Sequence, residues 1–210
     1  MLSLQDFFTL CVGHWDIERT YHSPLTGEVE RSHTKYEVSP LPFEEKQQIL
    51  SVAKPGSAAS LQIESAQLQH DDTLCPGFAI SFNTISEKGE QVSMRLKALF
   101  VPDAYVTSAI ALPPPPLVAQ IAATDEAIQG YYLRDEGYTE AGAIAARFTY
   151  QATRQTLEMT TYYQHSVAVD QMRLISPTLR LRTIVTYDRP ALDDSPSVIN
   201  LVGFGVERKV

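Results

Sequence analysis

The chain has 210 residues, 44% of them hydrophobic, which suits one domain around one sizeable core. Seventeen Lys and Arg against 25 Asp and Glu give a net charge of -8, which argues against a nucleic-acid partner, because neutralising phosphates needs a basic surface. The opening MLSLQDFFTL carries Asp6 and no basic n-region, and no run reaches the roughly 20 apolar residues of a membrane helix, so neither a secretory signal nor membrane insertion is expected.

Ser3 can cap a short helix in which Leu4, Phe7, Phe8 and Cys11 recur at i, i+3, i+4 and i+7, and Gly13 stops it. From Trp15 the period changes to two, with Trp15, Ile17, Arg19 and Tyr21 on one face of a strand and Asp16, Glu18, Thr20 and His22 on the other. A turn at Pro24–Gly27 leads to a second strand ending at Val38. Pro40 and Pro42 introduce a helix from Phe43 to about Lys54, with Phe43, Ile49, Leu50 and Ala53 as its apolar stripe. Strands are then expected at Leu61–Leu68, Phe78–Thr84, Val92–Val101, Gln129–Arg134, Ala143–Tyr150, Leu157–Tyr163, Val169–Ile175, Leu179–Tyr187 and Val198–Glu207. Pro113–Pro116 and the apolar Leu117–Ala123 read as an inserted loop with a short helix, at about 111–126. About ten strands without a βαβ rhythm suggest one mainly-β domain over 1–210, an antiparallel barrel or sandwich, and a closed barrel would enclose room for one small ligand. Gly13-His14-Trp15 matches the G-x-W of lipocalin-type barrels and favours the barrel.

No G-x-S-x-G, Walker A or G-x-G-x-x-G followed by a helix is present, and Gly203-Phe204-Gly205 has no helix after it. Cys11 and Cys75 form no C-x-x-C, and the five histidines show no metal-binding spacing, so metal chemistry is not expected. Arginine is more telling, because its rigid fork matches carboxylates bidentately. Arg147 would share a strand face with Ala143, Ala145 and Thr149, all small, leaving room for an anionic ligand; Glu140 and Asp135 are its candidate partners within the chain. Arg19, on the Trp15 face, serves equally as a structural cation–π plug or as a ligand contact. Arg180 and Arg182 share a face, and a solvated exterior is the reading for that face. Tyr131, Tyr132, Tyr138, Tyr150, Tyr162, Tyr163 and Tyr187 could sandwich a flat ligand or simply pack the barrel.

Four segments in order, F-F-x-x-C-V-G-H-W-D-I-E-R-T-Y-H at Phe7–His22, L-R-D-E-G-Y-T-E at Leu133–Glu140, A-A-R-F at Ala145–Phe148 and S-P-T-L-R-L-R-T at Ser176–Thr183, resemble the S-type (CpcS/CpeS-like) phycobiliprotein chromophore lyases across most of the chain. That resemblance implies a lipocalin-like antiparallel barrel with an N-terminal helix. It also implies an enzyme that binds a free bilin, phycocyanobilin or phycoerythrobilin, as a transient ligand and attaches it by a thioether bond to a cysteine of an apo-phycobiliprotein subunit. No permanently bound cofactor is implied. The alternatives are a non-transferring bilin carrier, or a non-catalytic subunit of a heterodimeric lyase. By the resemblance Trp15, Arg19, His22 and Phe82 bind bilin, while Glu140 and Arg147 both bind it and act in catalysis. A homodimer or a heterodimer with a related lyase, and a cyanobacterial cytoplasmic or plastid stromal location, are the further expectations. The chain departs from the family at Phe82, where tryptophan is frequent, at Thr161-Tyr162, where the family usually reads E-Y, and in the insertion.

Overall fold

The computed structural model describes residues 1–52, 61–64, 71, 73–121, 126–135, 144–191 and 194–210. Twelve strands lie among them: β1 (Gly13–Ser23), β2 (Glu28–Pro40), β3 (Gln62–Ile63), β4 (Gly77–Ser86), β5 (Gln91–Pro102), β6 (Val106–Ser108), β7 (Ile128–Arg134), β8 (Ile144–Gln151), β9 (Thr156–Tyr162), β10 (Ser166–Ser176), β11 (Leu179–Asp188) and β12 (Ile199–Lys209). Ten close into a barrel in the order β1-β12-β11-β10-β9-β8-β7-β5-β4-β2, every pair antiparallel. Closure satisfies both edges of every long strand, which an open sheet of this size cannot do.

The helix α1 (Leu4–Cys11) plugs one end of the barrel. Ser3 Oγ accepts the Asp6 N–H at 3.1 Å and donates to the Asp6 carboxylate at 2.7 Å, a cap that also places a negative charge at the helix start. Phe7 and Phe8 face inward against Phe78, Phe100 and Tyr150, with ring centroids 4.6–5.3 Å apart. Each buried ring contributes about 1.5–3 kcal/mol. The Tyr150 hydroxyl donates to the Leu2 carbonyl at 2.8 Å, and the buried Trp15 Nε1–H donates to the Cys11 carbonyl at 2.8 Å, so both ends of the plug are fastened.

An outer layer covers the β5–β7 wall. Leu41, Ile49 of α2 (Phe43–Val52), Leu61 and Cys75 pack on Leu99, Val101, Tyr131 and Leu133. Of the expected strand Leu61–Leu68, the described residues show Gln62–Ile63 as strand, and it pairs with β6 outside the barrel, where Leu61 is anchored in this outer cluster. Residues 65–70 lie outside the described residues. Ala119 of α3 (Leu117–Ile121) joins a third cluster on the outside with Val169 and Tyr187.

Candidate functional site

Strand direction fixes which end is open. Because β1 runs from α1 toward Ser23, the turn at Pro24–Gly27, the Glu87–Glu90 turn, Tyr163–His165 and the described residues 189–191 and 194–198 all gather at the end opposite the plug. There the barrel encloses a chamber of about 500 Å³, within the range of small-molecule sites. Tyr21, Tyr36, Phe82, Tyr132 and Tyr163 supply aromatic wall, and Tyr36 stacks on Phe82 with centroids 6.1 Å apart.

The floor is ionic. Glu207, fully buried on β12, faces three guanidiniums. Arg180 Nη2 lies 2.7 Å from Oε2, in ion-pair contact but out of line for a hydrogen bond. Arg19 Nη2 donates to Oε1 at 3.3 Å, and Arg182 Nη1 sits 3.7 Å from the same oxygen. Arg182 is also forked by Asp170, through Nε at 2.8 Å and through Nη2. Burial alone would push the Glu207 carboxyl up, but Arg180, Arg182 and Arg19 together hold it below the ordinary carboxylate range. The Arg180 guanidinium lies 3.7 Å from the centre of the Trp15 ring, which separates this floor from α1.

Two glycines make room for the floor. Register sets Arg19 and Arg182 on either side of Gly205, and Tyr21 beside Gly203. A Cβ at 205 would meet Arg19 Cγ at 2.9 Å, and one at 203 would meet the Tyr21 ring at 2.7 Å. Any other residue at position 203 or 205 would therefore displace a chamber side chain.

Among the described residues that wall or floor the chamber, four are arginines (Arg19, Arg134, Arg180, Arg182) and three are carboxylates (Glu30, Asp170, Glu207). Arg134, 2% exposed, donates to the Tyr163 hydroxyl at 3.1 Å. Arg19 Nε is buried with no hydrogen-bond partner among the described residues. Such a lining complements a flat conjugated molecule with acidic arms.

Of the site residues expected from sequence, Arg19 and Phe82 line the chamber, and Trp15 lies beneath it. His22 does not join them. It is exposed on the outer face of β1, stacked on Phe204 at 5.8 Å, as its parity opposite Arg19 dictates. Arg147 does not line the chamber either. Ile144, Ala146, Phe148 and Tyr150 take the inner side of β8, so Arg147 faces outward, lies 4.6 Å from the centre of the Tyr131 ring, and is forked by Asp103 at 2.7 and 2.5 Å. Neither Glu140 nor Asp135 is the partner seen: Glu140 lies outside the described residues, and Asp135 accepts the Lys97 N–H at 2.7 Å. Tyr138 and Ala143 also lie outside them.

Arg180 and Arg182, expected in solvent, are interior, and the opposite face of β11, with Leu181 42% exposed, takes the outside. Asp170 and Glu207 escaped the sequence reading altogether. Their only signal is positional, an acid on the strand next to each arginine. Cys11 and Cys75 are free and buried, and burial raises both thiols, Cys75 to about 12, so neither is a ready nucleophile. Among the described residues, no three His, Cys, Asp or Glu side chains converge as metal ligands, and no helix is long and apolar enough to cross a membrane.

Similarity to known proteins agrees with this architecture. The CpeS-like protein family matches residues 3–105 and 116–210. Chromophore lyase CpcS/CpeS 1 of Synechococcus sp. (strain JA-3-3Ab) is 36% identical over 204 residues, 97% of this chain and 95% of that protein. Chromophore lyase CpcS/CpeS 1 of Trichodesmium erythraeum (strain IMS101) is 24% identical over 189 residues, 90% of each. The S-type phycobiliprotein lyase CPES of Guillardia theta shares the fold, with a TM-score of 0.64 at 14% identity over all of this chain and 93% of that one. The ten residues between the two matched blocks, 106–115, comprise β6 and the start of the proline run, which the chain folds over the outside of the barrel. With a family match over most of its length and a curated relative above one-third identity, the chain belongs to the CpeS-like family of chromophore lyases.

Proposed function

We propose that this protein is a phycobiliprotein chromophore lyase that receives a free bilin in the barrel chamber and delivers it to a cysteine of a phycobiliprotein subunit. The observation that carries this reading is the arginine-floored, aromatic-walled chamber of about 500 Å³ at the open barrel end. A bilin presents two propionates, four pyrrole-type nitrogens and an electrophilic exocyclic ethylidene. In this reading the guanidiniums of Arg19 and Arg182 supply the cationic charge that faces the propionates, and Asp170 and Glu30 are the chamber carboxylates that would face the pyrrole N–H groups. Phe82 and the tyrosines supply flat contact. His22 and Arg147 lie outside the chamber and take no part in this reading, while Glu140 is retained as a candidate carboxylate on the family resemblance alone.

In the transfer, the acceptor's thiolate forms a carbon–sulfur bond to the ethylidene carbon and a proton adds to the neighbouring ring carbon, with no group leaving. With both of its own thiols buried and raised, the lyase contributes orientation and shelter from wrong additions, not a nucleophile. Phycocyanobilin and phycoerythrobilin are the pigments to test first, and a cytoplasmic or stromal location follows from the acceptor. The protein is mixed with each bilin and then with apo-phycobiliprotein subunits. The expected result is a shifted, sharpened visible band on binding, followed by acceptor-borne colour that survives acidic urea. A shifted band without covalent product would make the protein a carrier, and activity only with a related lyase would make it a subunit of a heterodimer. The absence of both binding and transfer, alone and in mixture, would sink the reading.

A further inference from the structure

An attaching enzyme must let a second protein's thiol reach the pigment, and the barrel fixes from which side. At the plugged end α1 and the packing of Phe7, Phe8, Phe100 and Trp15 leave no path, so a thiol meets a chamber ligand at the open end. A group that handles the thiol's proton has to stand there too. A cysteine with an ordinary value near 8.5 is about 3% ionised at pH 7, so most encounters bring an S–H and not a thiolate.

The three described carboxylates of the chamber differ in what holds them. Glu207 lies in the floor among three guanidiniums. Both oxygens of Asp170 accept from Arg182. Glu30 has neither a hydrogen bond nor an ion pair among the described residues. Its place follows from register. Parity with the buried Thr34 and Val38 turns it inward on β2, where it lies opposite Tyr21 of β1. The rung of Arg19 and Ser32 is one inward-facing step deeper, about 7 Å. β4 accompanies β2 only as far as the pair of Ser32 and Ser86. Glu30 therefore stands past the last β2–β4 rung, half-buried on the chamber rim, between the entrance and the floor.

The charged and titratable groups around it are engaged elsewhere. On β1 the Tyr21 hydroxyl accepts from Arg19 Nη1 at 3.5 Å, and Arg19 donates to Glu207. Next to β1, β12 brings the uncharged Leu201 and Gly203. On the hairpin side the Arg31 N–H donates to Glu87 Oε1 at 3.2 Å, and Arg31 has the outward parity of β2. Across the mouth Arg182 closes Asp170, and Arg134 donates to the Tyr163 hydroxyl at 3.1 Å. His22 is outside, stacked on Phe204. Among the described residues no cation from these elements pairs with Glu30, so its oxygens are left for what enters the mouth.

We propose that Glu30 is the proton relay of the attachment step: it takes the proton of the entering thiol as sulfur bonds to the ethylidene carbon, and passes it to the neighbouring ring carbon. The inference rests on the lyase reading and adds to it a catalytic residue, leaving the pyrrole N–H groups to Asp170. The step balances. The S–H bond and the ethylidene π bond are lost, an S–C and a C–H bond are made, and Glu30 ends as the carboxylate it began as. A carboxylate is a weak base toward a thiol but, once protonated, a strong acid toward carbon, so the relay acts within the transition state and leaves no stable protonated intermediate.

The test reads transfer from lyase already saturated with phycocyanobilin, so that any change in pigment affinity drops out. Wild type, Glu30→Gln and Glu30→Asp are mixed with an apo-phycobiliprotein subunit that wild type colours, across a pH series. With about 3% of the thiol ionised at pH 7, ionisation alone sets a ceiling of about 30-fold on what the relay contributes there. Glu30→Gln should be roughly tenfold slower at pH 7, and Glu30→Asp should recover part of that loss. By about pH 9.5 the acceptor has ionised by itself, all three proteins draw the ring carbon's proton from water, and the rates should converge within about twofold. A Glu30→Gln protein that transfers at the wild-type rate at pH 7 would overturn the relay and leave the lyase reading intact. So would one slowed by the same factor at every pH, since Glu30 would then only position the pigment. If wild type itself colours no acceptor, the lyase reading has failed, and the relay falls with it.

Discussion

Glu207→Gln is the most revealing perturbation of the floor. The substitution keeps the shape and removes the one carboxylate shared by Arg19, Arg180 and Arg182. Arg182 keeps its Asp170 fork, but Arg180, 1% exposed, loses the only anion within ion-pair distance among the described residues. A single pair of charge centres about 4 Å apart is worth about 4 kcal/mol at an effective dielectric near 20. Mutual repulsion among the three arginines offsets part of the further attractions. Breaking a buried pair from one side costs about 3–5 kcal/mol, or roughly 6–20 °C in Tm for a domain of this size. The assay is urea and thermal unfolding followed by the fluorescence of Trp15, the one tryptophan, whose ring touches Arg180, with circular dichroism as a second probe. The sign with pH is fixed as well. With its folded value below that of the unfolded chain, Glu207 stabilises fully above about pH 4.3, and that contribution is lost as pH falls through the folded value, so the variant should show a flatter acid limb. Arg180→Met/Glu207→Leu, which removes both charges, should recover most of the loss. A Glu207→Gln protein within about 1 kcal/mol of wild type would refute the argument that Glu207 organises the floor.

Two further substitutions probe the outer wall. Arg147→Ala should cost about 1 kcal/mol or less in a urea midpoint, because the Arg147–Asp103 pair is partly exposed at 28% and 45%, and it should leave a bilin titration within about twofold of wild type. A folded Arg147→Ala protein that has lost bilin would put the pigment outside the barrel. Glu158, 4% exposed under the proline strap, accepts Gln171 Nε2–H at 2.5 Å, yet burial raises its carboxyl above the ordinary range. An acid raised in the folded state loses stability as pH climbs from the unfolded value through the folded one, so Glu158→Gln should raise Tm at pH 7 and leave it unchanged in acid, where the wild-type carboxyl is already protonated. Equal Tm values at pH 7 would show that the carboxyl carries no penalty there.

Much of the barrel was legible because its long strands alternate. Trp15, Ile17, Arg19 and Tyr21 share the interior face that period two assigns them, and Ser3 and the Leu4–Cys11 stripe mark the plug. Alternation states which residues share a face, however, and not which face is inside. On β8 the small set Ala145, Arg147 and Thr149 looked like a ligand wall, whereas it is the outer side. There Arg147 and Thr149 border the cleft beneath the Ile110–Gln120 strap, and both faces of the strand are covered. A covered exterior erases the contrast that a reading of inside and outside needs.

On β11 the contrast is present but reversed. Leu179, Leu181 and Val185 point outward and Arg180 and Arg182 inward, because the chamber and its floor are the polar side of this strand. The reversal becomes readable only with the register of the neighbouring strands. Arg180 lies opposite Glu207, Arg182 opposite Gly205, and Asp170 one strand over is forked to Arg182. Each acid or glycine answers a guanidinium across the ladder. A tight turn would have revealed that register from sequence, since hairpin geometry fixes strand pairing. The link from Asp188 to Ile199 is too long for that, and it hides the pairing that turns Arg180, Arg182 and Glu207 from three dispersed charges into one buried cluster. The polar chamber was thus written in the sequence as complementary residues on adjacent strands. Only closure of the barrel supplies the alignment that lets them be read together.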